Sequence, residues 1–270
     1  MFNILVITMK TINLIMTKKN SIAIEFDNIL PEILFDKSGE EIKNTIIYRG
    51  NKEEKLYEFF DITVEGESDK PDDCIINIEG DLSRVKRIGF AMSSGKIIVN
   101  SDVDFHVGAC MSGGYILVNG DAESYAGREM TGGTLEIMGN VKEFCGSSYA
   151  GEWRGMSGGQ IIVHKNAGKQ LADYMTNGNI HVKGDCDILA GVHMSGGYIQ
   201  IDGNVNQWAG GQMKKGTIVI NGKFDKMLPT FDEKEIIHHP IINGKYFIGK
   251  YKCYSGDKGV RGKGQIWIKQ

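Results

Sequence analysis

The stretch Met111-Ser-Gly-Gly-Tyr-Ile-Leu-Val-Asn-Gly-Asp121 returns, with small changes, throughout the middle of this chain. Its second glycine, Gly114, belongs to a series of anchor glycines that are spaced by 19 residues, with one interval of 26. A methionine stands three residues before each anchor. The anchors are Gly95, Gly114, Gly133, Gly159, Gly178, Gly197 and Gly216, and the methionines are Met92, Met111, Met130, Met156, Met175, Met194 and Met213. A fixed short period predicts stacked repeats rather than an ordinary globular domain.

Each repeat has the pattern of a strand followed by tight corners. The residues two and four after the anchor are always aliphatic, as Ile116 and Val118 are, while the residue between them varies. This alternation is typical of a strand with one buried face. Gly-Asp or Gly-Asn pairs such as Gly120-Asp121 follow in most repeats and predict a turn. A small residue thirteen after the anchor, such as Gly127, predicts a second corner.

A unit of 19 residues is too short for a strand, a helix and two loops. It suits one coil of a parallel β-helix with about three short strands. Connections between parallel strands are normally right-handed. The sequence therefore predicts an all-β fold: a right-handed parallel β-helix (solenoid) of about nine coils, capped at both ends. With coils roughly 4.8 Å apart, the stack would be on the order of 40 Å long.

The extent of the repeat divides the chain into three parts. Residues 1–70 lack it and are predicted to form a β-rich N-terminal cap, in which the pattern near 52–60 favours a short amphipathic helix. Residues 71–222 form the glycine-rich β-helix, with Ile62 and Val64 as a fragment of an earlier coil. Residues 223–270 form a C-terminal cap into which the last coil, Gly264–Ile268, returns. Both ends need covers because an open coil exposes unpaired backbone groups.

Composition argues against several classes of function. The 270-residue chain has a net charge of −3 and a pI near 6.1, so no basic field favours nucleic acid. No apolar run reaches the roughly 18 residues of a membrane-spanning helix. Met1 to Met16 lacks the basic start and cleavage site of a signal peptide, which favours a strand there. The five cysteines stand singly and indicate reduced thiols in a cytoplasmic protein.

The sequence contains no convergent set of reactive side chains. The methionine series could bind a soft metal, but no histidine or cysteine accompanies it, and filling of a repeated gap in the core is favoured. The paired glycines lack the Lys-Ser/Thr of a phosphate loop, so backbone corners explain them better. The histidines show no metal-ligand spacing, and His164 and His181 fall at outward strand positions. We predict no catalytic, cofactor-binding or metal site in this chain.

An apolar row on the outside of the strands predicts a contact surface. The residue three after the anchor should face outward, yet it is apolar in four repeats. These candidate interface residues are Ile98, Leu117, Ile162 and Val219. Exposed apolar stripes usually mark interaction sites. The alternative is that the chain's own loops cover the row.

The single break in the period predicts a second contact. Seven extra residues fall within Phe144–Gly155, between the anchors Gly133 and Gly159. Insertions in solenoids protrude as loops on one face, which is often the binding face. Tyr149, Trp153 and Arg154 are of the types that dominate interface energetics. We expect these three residues to touch a partner; a plain protruding loop is the alternative.

The motif Met-Ser/Thr-Gly-Gly-x-Ile-x-Val-x-Gly-Asp/Asn resembles the glycine-rich C-terminal domain of glutamate synthase. It is still more similar to the C subunit of formylmethanofuran dehydrogenase and to its counterpart in the formyltransferase/hydrolase complex of methylotrophs. The likeness is strongest over residues 74–222. The insert sequence Gly-Ser-Ser-Tyr-Ala-Gly at Gly146–Gly151 and the tail Leu228–Phe231 favour the C subunit.

The resemblance implies a place in a multi-subunit enzyme that reduces carbon dioxide with methanofuran to formylmethanofuran, the first step of methanogenesis in archaea. It implies that a molybdopterin-type subunit holds a tungsten or molybdenum bis-pterin centre with iron–sulfur clusters, and that an amidohydrolase-type subunit holds a dinuclear metal site. No catalytic residue carries over to this chain, so the expected role is a non-catalytic scaffold.

Three other roles stay open from the sequence. The first is the C subunit of a formyltransferase/hydrolase complex, and the second is a glutamate synthase-type β-helix domain of an amidotransferase. The third is a carbohydrate-active β-helix enzyme, which would need paired carboxylates converging on one outward face. The recurrent Asp and Asn residues stand at predicted corners instead, which disfavours the third role.

Overall fold

The computed structural model describes residues 9–270, and most of its regular structure is β-strand. The first part of the chain combines strands with two short helices. Its elements are β1 (Lys10–Met16), β2 (Ile24–Glu25), α1 (Pro31–Leu34), α2 (Gly39–Lys43), β3 (Ile46–Arg49), β4 (Lys52–Lys55) and β5 (Phe60–Glu65). Helix α2 begins at a capping box, in which Ser38 and Glu41 bond each other's backbone N–H.

Strands of the repeat follow one another at the predicted spacing. They are β6 (Cys74–Glu79), β7 (Val85–Lys86), β8 (Lys96–Val99), β9 (Ser112–Val118), β10 (Thr131–Ile137), β11 (Gly158–Val163), β12 (Asn179–Val182), β13 (Ser195–Ile201), β14 (Val205–Gln207), β15 (Lys215–Ile220) and β16 (Phe224–Lys226). The C-terminal part contains β17 (Asp232–His238), β18 (Ile241–Ile242), β19 (Lys245–Tyr246), β20 (Lys250–Gly256) and β21 (Gly264–Lys269). Turns of 3₁₀ helix lie at Leu56–Glu58, Pro71–Asp73 and Lys258–Val260.

One long sheet organises the described chain. It has 13 strands in the order β17-β20-β21-β15-β13-β12-β11-β10-β9-β8-β6-β1-β5. All the pairings from β1 through β6 to β21 are parallel. The register matches the sequence period, since Ile97 pairs with Ile116 and Ile116 with Leu135. Equivalent side chains of successive repeats therefore stack in rows.

Each repeat also bonds its neighbour at two places outside the long sheet. One row of parallel bridges joins Val103 to Ala122 and Ala122 to Val141, and it continues to Val205. At a second row, the N–H of Gly127 donates to the carbonyl of Val107 at 2.8 Å, and later repeats reproduce this bond. The predicted strand and both predicted corners thus each contribute a row of backbone bonds between repeats.

The core lies between these rows and explains why methionine and glycine occur together. All seven methionines of the series are fully buried, and all seven anchor glycines have left-handed φ. A Cβ at Gly114 would lie 2.6 Å from the Cε of Met92, and a Cβ at Gly216 would lie 2.6 Å from the Cε of Met194. The methionine methyl of one repeat occupies the place that a side chain on the next anchor would take.

The N-terminal part corrects two expectations. The pattern near 52–60 is not a helix: it forms strand β4, a 3₁₀ turn and the start of β5. Ile62 and Val64 are not a fragment of an earlier coil, because β5 runs antiparallel to β1 at the edge of the sheet. Strand β1 itself pairs in parallel with β6 and raises the number of parallel strands to ten. Of the strand expected over residues 1–16, Lys10–Met16 form β1. Residues 1–8 lie outside the described residues.

The C-terminal part extends the sheet and folds over its outer face. Strand β21 supplies the last parallel strand, as expected for Gly264–Ile268, and β20 and β17 then add antiparallel strands. The outward-facing Val219 is fully buried here, in a cluster with Tyr198, Ile242, Phe247, Tyr251, Cys253 and Trp267. For Val219, therefore, the chain's own C-terminal segment covers the apolar row, and the expectation of an exposed contact is wrong.

Candidate interface at the insert corner

A column of large side chains in left-handed backbone marks one corner of the repeats. Positive φ occurs eleven residues after each of the first six anchors, and also at the equivalent position one repeat earlier. None of these residues is glycine. They are Arg87, His106, Tyr125, Phe144, Gln170, Leu189 and Trp208. This conformation costs roughly 1–2 kcal/mol for a residue with a Cβ. Backbone hydrogen bonds on either side of the corner hold this strained conformation in every repeat. The conformation directs these side chains outward together.

Aromatic rings stack along the middle of this column. The rings of His106 and Tyr125 lie 5.2 Å apart, and those of Tyr125 and Phe144 lie 4.9 Å apart with an angle of 7° between their planes. These distances match the spacing of about 4.8 Å between neighbouring strands. The period of the backbone therefore brings the rings into contact without further adjustment.

The seven-residue insert leaves and rejoins the repeats beside this column. The N–H of Ser148 donates to the carbonyl of Asp173 at 3.1 Å, and the N–H of Gly155 donates to the carbonyl of Tyr174 at 2.9 Å. Between these bonds the loop carries its side chains into solvent. The Tyr149 ring lies 6.0 Å from that of Tyr125, so the insert extends the aromatic column sideways.

The three residues expected to touch a partner all lie in this insert. Tyr149 is 48% exposed and Trp153 is 63% exposed. The guanidinium of Arg154 lies 4.2 Å from the centroid of the Trp153 ring, and that of Arg128 lies 4.6 Å from the centroid of Tyr149. Each of these exposed aromatic rings thus carries an arginine against it.

A shallow groove runs under the insert. Its walls combine two arginines, two glutamates and two hydroxyl side chains with the Tyr149 ring; they are Arg128, Glu129, Thr131, Tyr149, Glu152, Arg154 and Ser157. Glu129 holds the groove in shape, because its carboxylate pairs with Arg128 at 2.8 Å and accepts the N–H of Tyr149 at 3.0 Å. The groove offers aromatic surface and charge-assisted hydrogen bonds, a combination suited to recognising another protein.

Burial shifts the pKa values of two titratable groups at this corner. Burial, together with the neighbouring Arg128 and Arg87, lowers the pKa of His106 to about 4, so its imidazole is neutral at pH 7. Burial also raises the pKa of the Cys110 thiol, whose sulfur lies 3.6 Å from a Glu129 oxygen. A protonated thiol is a poor nucleophile. The described residues include no group of three or more His, Cys, Asp or Glu side chains placed to hold a metal ion.

The remaining apolar row lies away from the insert, on the outer face of the long sheet. Ile98, Leu117 and Ile162 are half-buried there, and Glu136 interrupts the row between Leu117 and Ile162. The structure does not bring these residues together with Tyr149, Trp153 and Arg154 into one surface.

A polar network surrounds that interruption. The Glu136 carboxylate accepts the Tyr115 hydroxyl at 2.6 Å and lies 2.7 Å from His164 Nε2, and these bonds hold the pKa of Glu136 below its usual range. His181 likewise lies 2.7 Å from a carboxylate oxygen of Asp202. Both outward histidines predicted from the strand pattern therefore have carboxylate neighbours within this chain.

The recurrent Asp and Asn side chains bond one repeat to the next. Asp121 Oδ1 accepts the N–H of Asn140 at 2.7 Å, and Asp185 Oδ1 accepts the N–H of Asn204 at 2.6 Å. The sequence predicted turns at these residues, but not that their side chains would cap the neighbouring repeat. Because these oxygens accept backbone N–H groups, they are poorly placed to act as a paired acid and base.

Sequence reasoning missed the left-handed column. The signal was present, because His106, Tyr125 and Phe144 share the 19-residue spacing. It was overlooked because positive φ is expected at glycine and asparagine, not at aromatic residues.

These features define a class of protein: a repeat-built β protein that offers exposed aromatic and arginine side chains on one corner. No helix within residues 9–270 is long and apolar enough to cross a membrane. No model of a known protein family matches the chain.

Individual relatives, however, match over nearly the whole length. The chain is 50% identical over 257 residues to the C subunit of the tungsten-containing formylmethanofuran dehydrogenase 2 of Methanothermobacter marburgensis, covering 94% of this chain and 95% of the relative. It is 50% identical over 254 residues to the protein of the same name from Methanococcus maripaludis, covering 92% of each. The chain belongs to the family of formylmethanofuran dehydrogenase C subunits.

A solved structure shares the fold. It is a chain of the formyltransferase/hydrolase complex FhcABCD from Methylorubrum extorquens, determined in complex with methylofuran. It aligns with a TM-score of 0.83 and 26% identity, over 96% of this chain and 99% of that one.

Proposed function

We propose that this chain is the non-catalytic scaffold subunit of a formylmethanofuran dehydrogenase complex, which reduces carbon dioxide with methanofuran to formylmethanofuran at the start of methanogenesis. The observation that carries the proposal is the 50% identity to C subunits of this enzyme over more than nine-tenths of both chains. The site adds support, because its exposed aromatic and arginine side chains suit contact with a protein.

The scaffold role depends on a rigid shape, and we propose that the repeats form the coils of a right-handed β-helix. Three rows of backbone bonds per repeat support this proposal. Ten parallel strands about 4.8 Å apart would make a rod roughly 45 Å long. Such a rod could hold other subunits at fixed distances from one another.

The metal centres are assigned to partners in this proposal. Tungsten or molybdenum bis-pterin and iron–sulfur clusters would lie in a molybdopterin-type subunit, and a dinuclear metal site in an amidohydrolase-type subunit. The insert residues Tyr149, Trp153 and Arg154 would contact one of these. A cytoplasmic location fits the five unpaired cysteines, because reducing compartments keep thiols free.

A second candidate is the C subunit of a formyltransferase/hydrolase complex, and the TM-score of 0.83 to a chain of FhcABCD supports it. In both candidates the chain contacts catalytic subunits without a catalytic site of its own. The kinship with the glycine-rich domain of glutamate synthase rests on the repeat motif and stays a prediction.

Assays of the purified chain test the absence of catalysis. We expect less than one tungsten, molybdenum, iron or zinc ion per ten chains, and no formation or breakdown of formylmethanofuran above the rate without protein. Stoichiometric metal or turnover by the chain alone would contradict the scaffold role.

A further inference from the structure

The hairpin formed by β18 and β19 is fixed to the sheet on one face. Ile241 pairs with Tyr246 across it, and its turn contains Asn243 and Gly244, both with left-handed φ. The side chain of Ile242 is buried on the outer face of the long sheet. Phe247 anchors the other strand, because its ring lies 5.6 Å from that of Tyr251 in the same cluster.

The opposite face of the hairpin is apolar and exposed. Ile241 and Ile248 are each 73% exposed, and Tyr246 is 66% exposed. Since the buried face holds the hairpin in place, these three side chains project as a fixed group rather than as a loose loop. A grouped set of exposed apolar side chains on an anchored element is typical of a contact site.

The segment of chain that carries this group has charges of one sign. Residues 236–256 contain three lysines and two histidines but no aspartate or glutamate. Lys252 pairs with Glu233, whereas Lys245 lies 5.0 Å over the ring of Tyr198, and within residues 9–270 neither Lys245 nor Lys250 forms an ion pair. The apolar tip therefore has a basic rim, which is complementary to a partner surface that carries carboxylates.

A second copy of the chain fits this surface poorly. Three side chains offer only a few hundred Å², below the roughly 800 Å² per partner of a stable interface. A symmetric contact would also bring the same lysines of both copies together. A small projecting tip gains more contact from a concave partner that surrounds it.

We propose that the β18–β19 hairpin inserts into an apolar pocket rimmed by carboxylates on another subunit of the same complex. This inference rests on the proposed function, because it takes the partner to be one of the catalytic subunits. The hairpin lies in the C-terminal part of the chain, outside the repeats that carry the insert, and it would form a second attachment point.

The test uses the full-length chain, tagged and expressed together with the other subunits of its complex. The variant I241E/I248E places acidic side chains on the apolar tip, and I22E/I46E is the matched control, since Ile22 and Ile46 are 50% and 42% exposed in the N-terminal part. We expect I241E/I248E to recover at least tenfold less molybdopterin-type or amidohydrolase-type subunit, and the control to recover wild-type amounts. Both variants should unfold within about 2 °C of the wild type, because the altered side chains are exposed.

The basic rim gives an independent readout. K245E/K250E should lower recovery several-fold at low salt, and the wild-type interaction should weaken as salt is raised whereas that of the variant should not. Equal recovery by I241E/I248E and the wild type would overturn the hairpin proposal alone. Failure of the wild type itself to recover these subunits would overturn the proposed function as well. A wild-type homodimer in sedimentation that I241E/I248E dissociates would assign the surface to a second copy and overturn the proposal.

Discussion

At the scale of single residues, the repeat depends on a coupling between methionine and glycine. Gly114 combines a φ of +72° with close contacts that leave no space for a Cβ, since Met92 Cε and the carbonyl oxygen of Gly95 would lie within 2.9 Å of it. The two residue types were visible in the sequence as a spacing of three. Their contact across repeats was not, because it joins a methionine to the anchor of the following repeat.

Replacing Gly114 by alanine tests this coupling. We expect G114A to lose about 3 kcal/mol or more in the free energy of unfolding, from left-handed strain plus overpacking. Gly151 is the control, because its φ is +91° but a Cβ there meets nothing within 4 Å. G151A should lose only about 1–2 kcal/mol, from left-handed strain alone. Equal losses in denaturant unfolding would show that the methionine contact does not contribute.

The corner residue Asp121 should make stability depend on acid pH. The N–H of Asn140 lowers the pKa of Asp121 below its ordinary value of 3.8. Asp121 therefore stabilises the fold fully above the unfolded pKa, and this contribution is lost as pH falls through the lower folded pKa.

In D121N the side-chain oxygen still accepts the Asn140 N–H but no longer titrates. We expect the free energy of unfolding to fall less between pH 6 and pH 3 in D121N than in the wild type. D121A should lose about 1 kcal/mol at pH 7, because the bond itself is gone. Identical acid dependence in D121N and the wild type would contradict the account.

At the scale of elements, the sequence predicted the strands that belong to the repeats but not the strands outside them. Strands β8 to β15 lie where the period places them, because the alternation of buried and exposed residues defines each strand. The C-terminal segment has no period, so nothing in its sequence showed that β17 and β20 would extend the sheet and bury Val219. The strand and 3₁₀ turn over 52–60 escaped detection because strand pairing overrides local helix propensity.

The C-terminal segment that covers the outer face of the sheet should stabilise β21, the last parallel strand. Tyr251 is buried in that cover and donates its hydroxyl to Asn221 Oδ1 at 2.6 Å. We expect Y251F to lose about 1 kcal/mol and Y251A about 3–5 kcal/mol. Hydrogen exchange of the backbone amides in β21 reports the local effect. Unchanged exchange in Y251A would show that the cover does not hold β21 in place.

The insert should act as a binding element and not as a structural one. Y149A/W153A removes two exposed rings, and we expect it to weaken the association with partner subunits by at least tenfold while the unfolding temperature changes by less than about 2 °C. M138A is the control, because Met138 is 40% exposed on the outer face of the sheet. Retention of partner subunits by Y149A/W153A at the level of M138A would exclude the insert from the interface.

At the scale of the whole molecule, rigidity and surface chemistry together suit a scaffold. Rows of backbone bonds join each repeat to the next, and in the proposed β-helix the number of repeats would set the length of the rod. The aromatic insert lies within the repeats, and the hairpin lies in the C-terminal part of the chain. The sequence resemblance predicted the family, and the relatives confirm it. The faces that meet each partner depend on three-dimensional contacts with other chains, which no pattern within one sequence contains.

The central claim is that this chain holds catalytic subunits together without catalysing the reaction. The most direct measurement is native purification of the tagged chain from its source cells, with mass spectrometry and metal analysis of the product. We expect molybdopterin-type and amidohydrolase-type subunits to co-purify, together with tungsten or molybdenum and formylmethanofuran dehydrogenase activity. Recovery of the chain alone, without metal or partners, would contradict the claim.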